Sequence, residues 1–322
     1  MKIGIGIIGA GRIAKIFAKG SKLANNAEVI AIASREKEKA ELFAKELEIE
    51  RAYGSYKEIL EDKDVKAVYI AVPHSHHYQV AKLCLEYGKA VICEKPMFLT
   101  VKEYEDIILL AKEKDLLLME AMWTRFLPST VTAHKWIEEG RIGQVKMIDA
   151  NFGFCGNIEP EGRLFNKDLA GGAIYDLGVY SIELAIDYAN SKVKKHSVYG
   201  NFGSTDVDET NCVIIEFENG VLATAKSALR ASLVNDAYVY GDKGFIHIPN
   251  FYANNHITLY NKDREKVEEF FGDNQTNVEG FKYEIEHFAN LLNEGKKESP
   301  RIPFSHNIEC AEIFESLMAT KV

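Results

Sequence analysis

Ile3-Gly4-Ile5-Gly6-Ile7-Ile8-Gly9-Ala10-Gly11-Arg12-Ile13-Ala14 sets an apolar run against a G-x-G-x-x-A turn and the start of a helical pattern. Gly9 allows a tight turn, Gly11 lets the backbone approach a pyrophosphate, and Ala14 permits close packing of the helix. The helix start offers free N–H groups and a positive dipole end to phosphate oxygens. The segment therefore predicts the first βα unit of a dinucleotide-binding domain, with Gly9, Gly11, Arg12 and Ile13 beside the cofactor. Its apolar opening superficially resembles a signal peptide, but Arg12 and Lys15 interrupt it before any cleavage site.

Outward from this unit, short β-branched runs alternate with helical patterns as far as about residue 120. The runs are Ile3-Ile8, Val29-Ala33, Val68-Ala71, Ala90-Cys93 and Leu116-Met119. Such alternation predicts an α/β fold, a doubly wound Rossmann sheet of parallel strands covered by helices. Thr100 with Glu103 three residues on reads as a capping box opening the helix after the fourth run. Past residue 145 the period becomes two. Ile148, Ala150, Phe152 and Phe154 fall on one face, Met147, Asp149, Asn151 and Gly153 on the other, and Val213-Ile215-Phe217 and Val221-Ala223-Ala225 repeat the alternation. Turns at Asn219-Gly220 and Asp242-Lys243-Gly244 separate these strands, which predicts a mostly antiparallel sheet. Helices are expected over Asp176-Asn190, Val278-Glu294 and after Ser305. The expected division is 1–122 for the dinucleotide domain and 123–322 for an α+β domain with one large open sheet.

Composition narrows the partners. The 322 residues carry 39 Lys+Arg and 48 Asp+Glu, a net charge of −9, which argues against a polyanion such as nucleic acid. Hydrophobic residues at 47% and charged residues at 27% describe an ordinary globular chain. Nowhere do 18 apolar residues run without a charge, so no membrane span is expected. Five scattered cysteines without a C-x-x-C pair read as buried thiols in a reducing cytoplasm.

Where an NAD site usually places a carboxylate for the ribose hydroxyls, the second strand ends in Ser34-Arg35. A hydroxyl and a guanidinium suit a 2′-phosphate, so NADP is favoured over NAD, with Lys39 adding charge or simply facing solvent. Glu94-Lys95-Pro96 follows a parallel strand, at the sheet end where ligands bind in open α/β folds. Lys95 can hydrogen-bond a substrate hydroxyl there, and Pro96 can fix the loop through a cis peptide. In Gly171-Gly172-Ala173-Ile174-Tyr175-Asp176-Leu177-Gly178-Val179-Tyr180, Asp176 and Tyr180 stand four apart and share a helix face. They form a proton-handling pair or, as spacing alone favours, a helix-start Asp and a core Tyr.

The GxGxxA start, Pro73-His74-Ser75-His76-His77, Glu94-Lys95-Pro96 and Gly-Gly-x-x-x-Asp-x-x-x-Tyr occur in that order over essentially the whole chain. Together they resemble the glucose-fructose oxidoreductase/inositol dehydrogenase/MocA (Gfo/Idh/MocA) family. Met119-Glu120-Ala121-Met122-Trp123-Thr124-Arg125-Phe126, Tyr180 and the tail Glu298-Ser299-Pro300-Arg301-Ile302-Pro303 resemble its dimeric dihydrodiol dehydrogenase branch, which also oxidises D-xylose with NADP. The resemblance implies Lys95, Asp176 and Tyr180 at the catalytic positions. Tyr180 would be the base, Lys95 would stabilise its phenolate against a free pKa near 10, and Asp176 would orient substrate hydroxyls. It also implies cofactor contacts at Ala71, Pro73, His74, His77, Glu94, Lys95, Pro96, Trp123, Arg125 and Tyr283. His74 departs from the Asn common in the family. The three histidines invite a metal reading that finds no carboxylate or cysteine at matching spacing, so no metal is expected. The implied activity is hydride transfer between nicotinamide and a sugar, polyol or cyclic diol. A keto-sugar reductase running in reverse and a non-catalytic NADP sensor are the alternatives. A homodimer formed through the open sheet is expected.

Overall fold

The computed structural model describes residues 2–274 and 276–321. Two compact units form. One comprises Met1–Phe98, Lys102–Phe126 and Thr276–Phe304, the other Leu99–Val101, Leu127–Gln275 and Ser305–Val322.

In the first unit, β1 (Ile3–Ile8), β2 (Ala27–Ala33), β3 (Arg51–Tyr53), β4 (Ala67–Ile70), β5 (Ala90–Glu94) and β6 (Leu118–Ala121) form a sheet in the order β3-β2-β1-β4-β5-β6. All five pairings are parallel. The chain reverses its direction of travel across the sheet between β1 and β4, so a crevice opens at their carboxyl ends. The connecting helices are α1 (Arg12–Leu23), α2 (Lys37–Leu47), α3 (Tyr56–Glu61), α4 (His77–Glu86) and α5 (Val101–Glu113). The apolar runs are buried because helices cover both faces of a parallel sheet. Phe17 of α1 is wholly buried and stacks on Tyr69 of β4 with ring centroids 3.6 Å apart.

The expected division 1–122 and 123–322 is continuous in the chain, whereas the compact units are not. The second half also contains α6 (Pro128–Glu138), α7 (Val179–Ala189), α8 (Asn277–Asn293) and α9 (Phe304–Ala319). Helix α8 packs in the first unit because Phe281, Ile285 and Phe288 make an apolar stripe that needs cover. Gly20 of α1 supplies it, since a Cβ there would lie 3.0 Å from Phe281 Cβ. Asn26 ties the pair by donating to Glu286 O and Asn290 Oδ1. A full capping box, Thr276 with Glu279, starts α8 and was not anticipated.

In the second unit, β7 (Val145–Gly153), β8 (Val193–Phe202), β9 (Asp208–Phe217), β10 (Leu222–Ala228), β11 (Ala237–Gly241), β12 (Gly244–Ile248), β13 (His256–Asn261) and β14 (Lys266–Phe271) form one sheet, ordered β14-β13-β12-β11-β7-β10-β9-β8. Among these only β7 and β10 pair in parallel. The alternation of Ile148, Ala150 and Phe152 is seen as burial of one face. The segment Lys167–Ala189 has the length and hydropathy of a membrane span, but 72% of its most apolar window is buried inside the protein, so it serves as a core helix. All five cysteines are free thiols. Cys84, Cys93 and Cys310 are buried as expected, but Cys155 is exposed and Cys212 half-buried.

Candidate active site

The cofactor cradle is built at the carboxyl end of β1. Gly9 adopts φ +106°, where a side chain would be strained and its Cβ would collide with Ala71 O. At Gly11, the N-cap of α1, an added Cβ would meet nothing closer than Ala71 O at 3.9 Å. No side chain caps α1 and no acidic residue occupies its first turn, so its N–H groups and dipole face open space. Arg12 is exposed and Ile13 half-buried at the same edge. An NAD(P) pyrophosphate fits this donor set. At the end of β2, Ser34 is buried and its Oγ accepts the Glu36 N–H, while Arg35 and Lys39 are exposed. Arg35 lies near enough to Tyr56 to oppose the upward push that burial exerts on that phenol.

The loop after β5 is braced from several sides. The Tyr69 hydroxyl donates to Glu94 Oε1, the Lys95 N–H donates to Glu94 Oε2 at 3.3 Å, and the Met97 N–H donates to Glu120 Oε1 at 3.1 Å. Lys95 itself is buried, and the Lys95–Pro96 peptide is cis. His77 is fully buried, and its Nδ1 and Nε2 lie 2.9 Å from Pro96 O and Val72 O. Burial lowers its pKa against the pull of those carbonyls. The neutral ring carries one N–H, so it donates to one of these carbonyls and packs against the other, which places His77 between the loops after β4 and β5. His74 is buried and meets His77 edge-on with centroids 5.6 Å apart, and Pro73 is half-buried. Trp123 stacks on Phe281 at 5.1 Å, and Arg125 is buried. Tyr283 is half-buried with Lys282 Nζ 4.9 Å over its ring.

In the second unit, Asp176 does not sit in an ordinary α-helix. Ile174–Gly178 is a π-helical turn that runs into α7, closed by the Val179 N–H donating to Ile174 O. The wider turn alters the i, i+4 relation expected of Asp176 and Tyr180, and such turns recur at functional sites. Asp176 Oδ1 accepts from Arg163 Nη1 at 2.7 Å. Tyr180 is half-buried and meets Phe152 edge-on, with centroids 5.7 Å apart.

The family profile described as "Oxidoreductase family, NAD-binding Rossmann fold" (GFO/IDH/MocA) matches residues 3–122, and the GFO/IDH/MocA C-terminal domain matches residues 130–247. The chain belongs to the Gfo/Idh/MocA oxidoreductase family. The trans-1,2-dihydrobenzene-1,2-diol dehydrogenase of Mus musculus is 34% identical over 315 residues, 96% of this chain and 94% of the mouse protein. Among solved structures, levoglucosan dehydrogenase with NADH and levoglucosan superposes with TM-score 0.89 at 22% identity, covering 100% of this chain and 97% of the other. A 3-ketoreductase from Actinomadura kijaniata with NADP and TDP-benzene gives 0.83 at 24% identity, covering 99% and 98%. These two likenesses show the shared fold.

Three groups in this Gfo/Idh/MocA chain escaped the sequence reading. Arg163, the partner of Asp176, lies in an irregular loop without periodicity to mark it. Asp208, Asn211 and Ser227 line the core beside the π turn. The last two were legible, because they fall in register with buried Val213, Ile215, Ala223 and Ala225 on strand faces that should be apolar. Glu284, fully buried on α8, follows the same logic on a helical stripe.

Proposed function

We propose that this Gfo/Idh/MocA oxidoreductase prefers NADP and transfers hydride between the hydroxyl-bearing carbon of a sugar, polyol or cyclic diol and nicotinamide C4. The bound nicotinamide supplies the hydride acceptor or donor. Tyr180 takes the hydroxyl proton during oxidation and returns it during reduction. The Lys95 ammonium, delivered by the braced loop after β5, stabilises the tyrosinate and hydrogen-bonds the reacting oxygen. Asp176, held by Arg163, orients a neighbouring hydroxyl. The observation that carries the reading is a π turn placing an ion-paired carboxylate one turn before a half-buried tyrosine on the same segment. The substrate class follows from the dihydrodiol dehydrogenase relatives and from solved neighbours named for sugars. The same residues serve a keto-sugar reductase by microscopic reversibility.

The discriminating experiment measures NADP and NAD reduction over D-xylose, D-glucose, inositols and a trans-dihydrodiol. Turnover of at least one of these with NADP ahead of NAD is the expected result, whereas NADPH binding without turnover on the whole panel would identify a sensor. Solved relatives carry either dinucleotide, so the preference rests on Ser34-Arg35. Removing the guanidinium with Arg35→Ala is expected to raise the KM for NADP roughly ten- to hundredfold, the loss of about 1.5–3 kcal/mol of charged hydrogen bonding, and to leave NAD nearly unaffected. An equal change for both cofactors would remove Arg35 from the 2′-phosphate.

We also propose a homodimer through the outer face of the eight-stranded sheet. Met147, Ile214, Leu222 and Tyr199 stand exposed there, beside the stacked rings of Tyr238, Tyr240, Phe245 and Tyr260. Such a patch is costly in water. Light scattering at micromolar protein is expected to give twice the chain mass, and Ile214→Lys to halve it. A wild-type monomer would sink the proposal. With five free thiols, a reducing cytoplasm suits the enzyme.

A further inference from the structure

The carboxylate of Asp208 opens β9 at the foot of the π turn, inside the core. Its Oδ2 accepts the Ile174 N–H at 2.9 Å and Asn211 Nδ2 at 2.7 Å, and the Ala173 N–H also bears on it. Asn211 Nδ2 bonds Ser227 Oγ at 2.7 Å, directly across the β9–β10 ladder. Two glycines make room for these polar groups. Gly172, at φ +125°, would drive a Cβ into Asp208 Oδ1, and a Cβ at Gly178 would lie 2.9 Å from Ser227 Oγ. The start and the end of the π turn therefore rest on one hydrogen-bonded string, Asp208-Asn211-Ser227.

We infer that Asp208 is a positioning residue, whose ionised carboxylate holds the N–H groups at the start of the π turn and so sets the placement of Asp176 and Tyr180. The inference rests on the catalytic roles proposed above for those two residues. An ionised acceptor binds a backbone N–H about twice as strongly as a neutral one, so the hold depends on the proton. Burial raises the Asp208 pKa from 3.8 to about 6, against the lowering effect of its hydrogen bonds. Charged groups also sit on the surrounding elements, and Asp206, two residues before Asp208, pairs with Lys321 and Lys167. Asp176 on the π turn pairs with Arg163, Glu209 on β9 lies beside Gly203, and Lys226 on β10 pairs with Asp149. On β8 the partner opposite Asp208 is the apolar Phe202.

Activity and stability then move in opposite directions with pH. Protonation below about pH 6 loosens the turn and lowers kcat. A folded pKa raised above the unfolded value means that this carboxyl's stabilising contribution is full below pH 3.8 and lost as pH rises through about 6. The test records kcat, KM and melting temperature from pH 5 to 8 for the wild type, Asp208→Asn, Ser227→Ala and Tyr180→Phe. The wild type is expected to show an acid limb in kcat near pH 6. Asp208→Asn is expected to lower kcat roughly ten- to hundredfold at pH 7.5, with KM little changed, and to abolish that limb. If the Asn variant does not fold, Ser227→Ala, which removes only the anchor of Asn211, is expected to lower kcat several-fold and displace the limb. An unchanged limb with full kcat in the variant that folds overturns the inference, as does a loss of stability without a change in the pH profile. If Tyr180→Phe retains turnover, the catalytic reading fails instead, so the two failures are separable.

Discussion

Lys95→Met and Tyr180→Phe are each expected to lower kcat by about 10²- to 10⁴-fold, the range lost when a positioned proton-transfer group is removed, while the KM for NADP stays within a few-fold. Both replacements keep the bulk of the side chain, so packing is largely preserved. The backbone at Lys95 is fixed independently of its ammonium, through Glu94, Tyr69 and the Pro96–His77 contact. A loss in Lys95→Met is therefore a loss of charge. In the proposed mechanism the tyrosine base relies on that charge to ionise near neutrality, so the double variant is expected to be scarcely slower than either single one. A primary deuterium isotope effect that grows in both variants would place the damage on hydride transfer. Additive losses, or a Tyr180→Phe enzyme with more than a tenth of wild-type kcat, would dismantle the pairing of roles.

The parts of this molecule that were legible in the sequence are those where local pattern and tertiary placement agree. The G-x-G-x-x-A turn has one conformational solution, and Gly9 at φ +106° against Ala71 O adopts it. The parallel strands announce themselves because burial on both faces requires continuous apolar runs. The switch to period two after residue 145 marks the one-sided sheet for the same reason in reverse. Failures of the reading have physical causes as well. Helix α8 reads correctly as a helix, but the partner of its apolar stripe is chosen by Gly20 on α1, far away in the chain. The short strand β3 has too few residues to show a period.

At the candidate site, the sequence singled out residues but not their local geometry. Asp176 and Tyr180 were singled out by spacing on an α-helix, and the segment is a π turn at its start. Polar side chains from β9 and β10 lie beside that turn; Asn211 and Ser227 stand out as polar residues on buried strand faces, but their pairing with the turn is set by tertiary placement. His77 illustrates the converse. The motif places it near the cofactor loops, but only the structure reveals that its ring lies between the Pro96 and Val72 carbonyls.

Glu284→Gln is expected to stabilise the protein at alkaline pH and to change little at pH 5. Glu284 is fully buried on α8, and neither carboxyl oxygen has a hydrogen-bond partner among the described residues. Its pKa is pushed well above 4.5, first by burial and then by the neighbouring Glu94 and Glu120, since adjacent buried carboxylates do not all ionise together. The Tyr69 phenol, bonded to Glu94, is raised by the same causes. Glu284 therefore keeps its proton in the folded state at pH values where the unfolded chain has lost it. Its contribution to stability is full below pH 4.5 and declines by about 1.4 kcal/mol per pH unit above it, until the buried group itself ionises. Glutamine mimics the protonated acid in shape and removes the titration. At pH 7.5 the variant is therefore expected to melt above the wild type. Melting curves from pH 5 to 9 decide the matter. The two proteins should coincide near pH 5 and diverge steadily above it, whereas parallel curves would mean that Glu284 enters the fold already ionised.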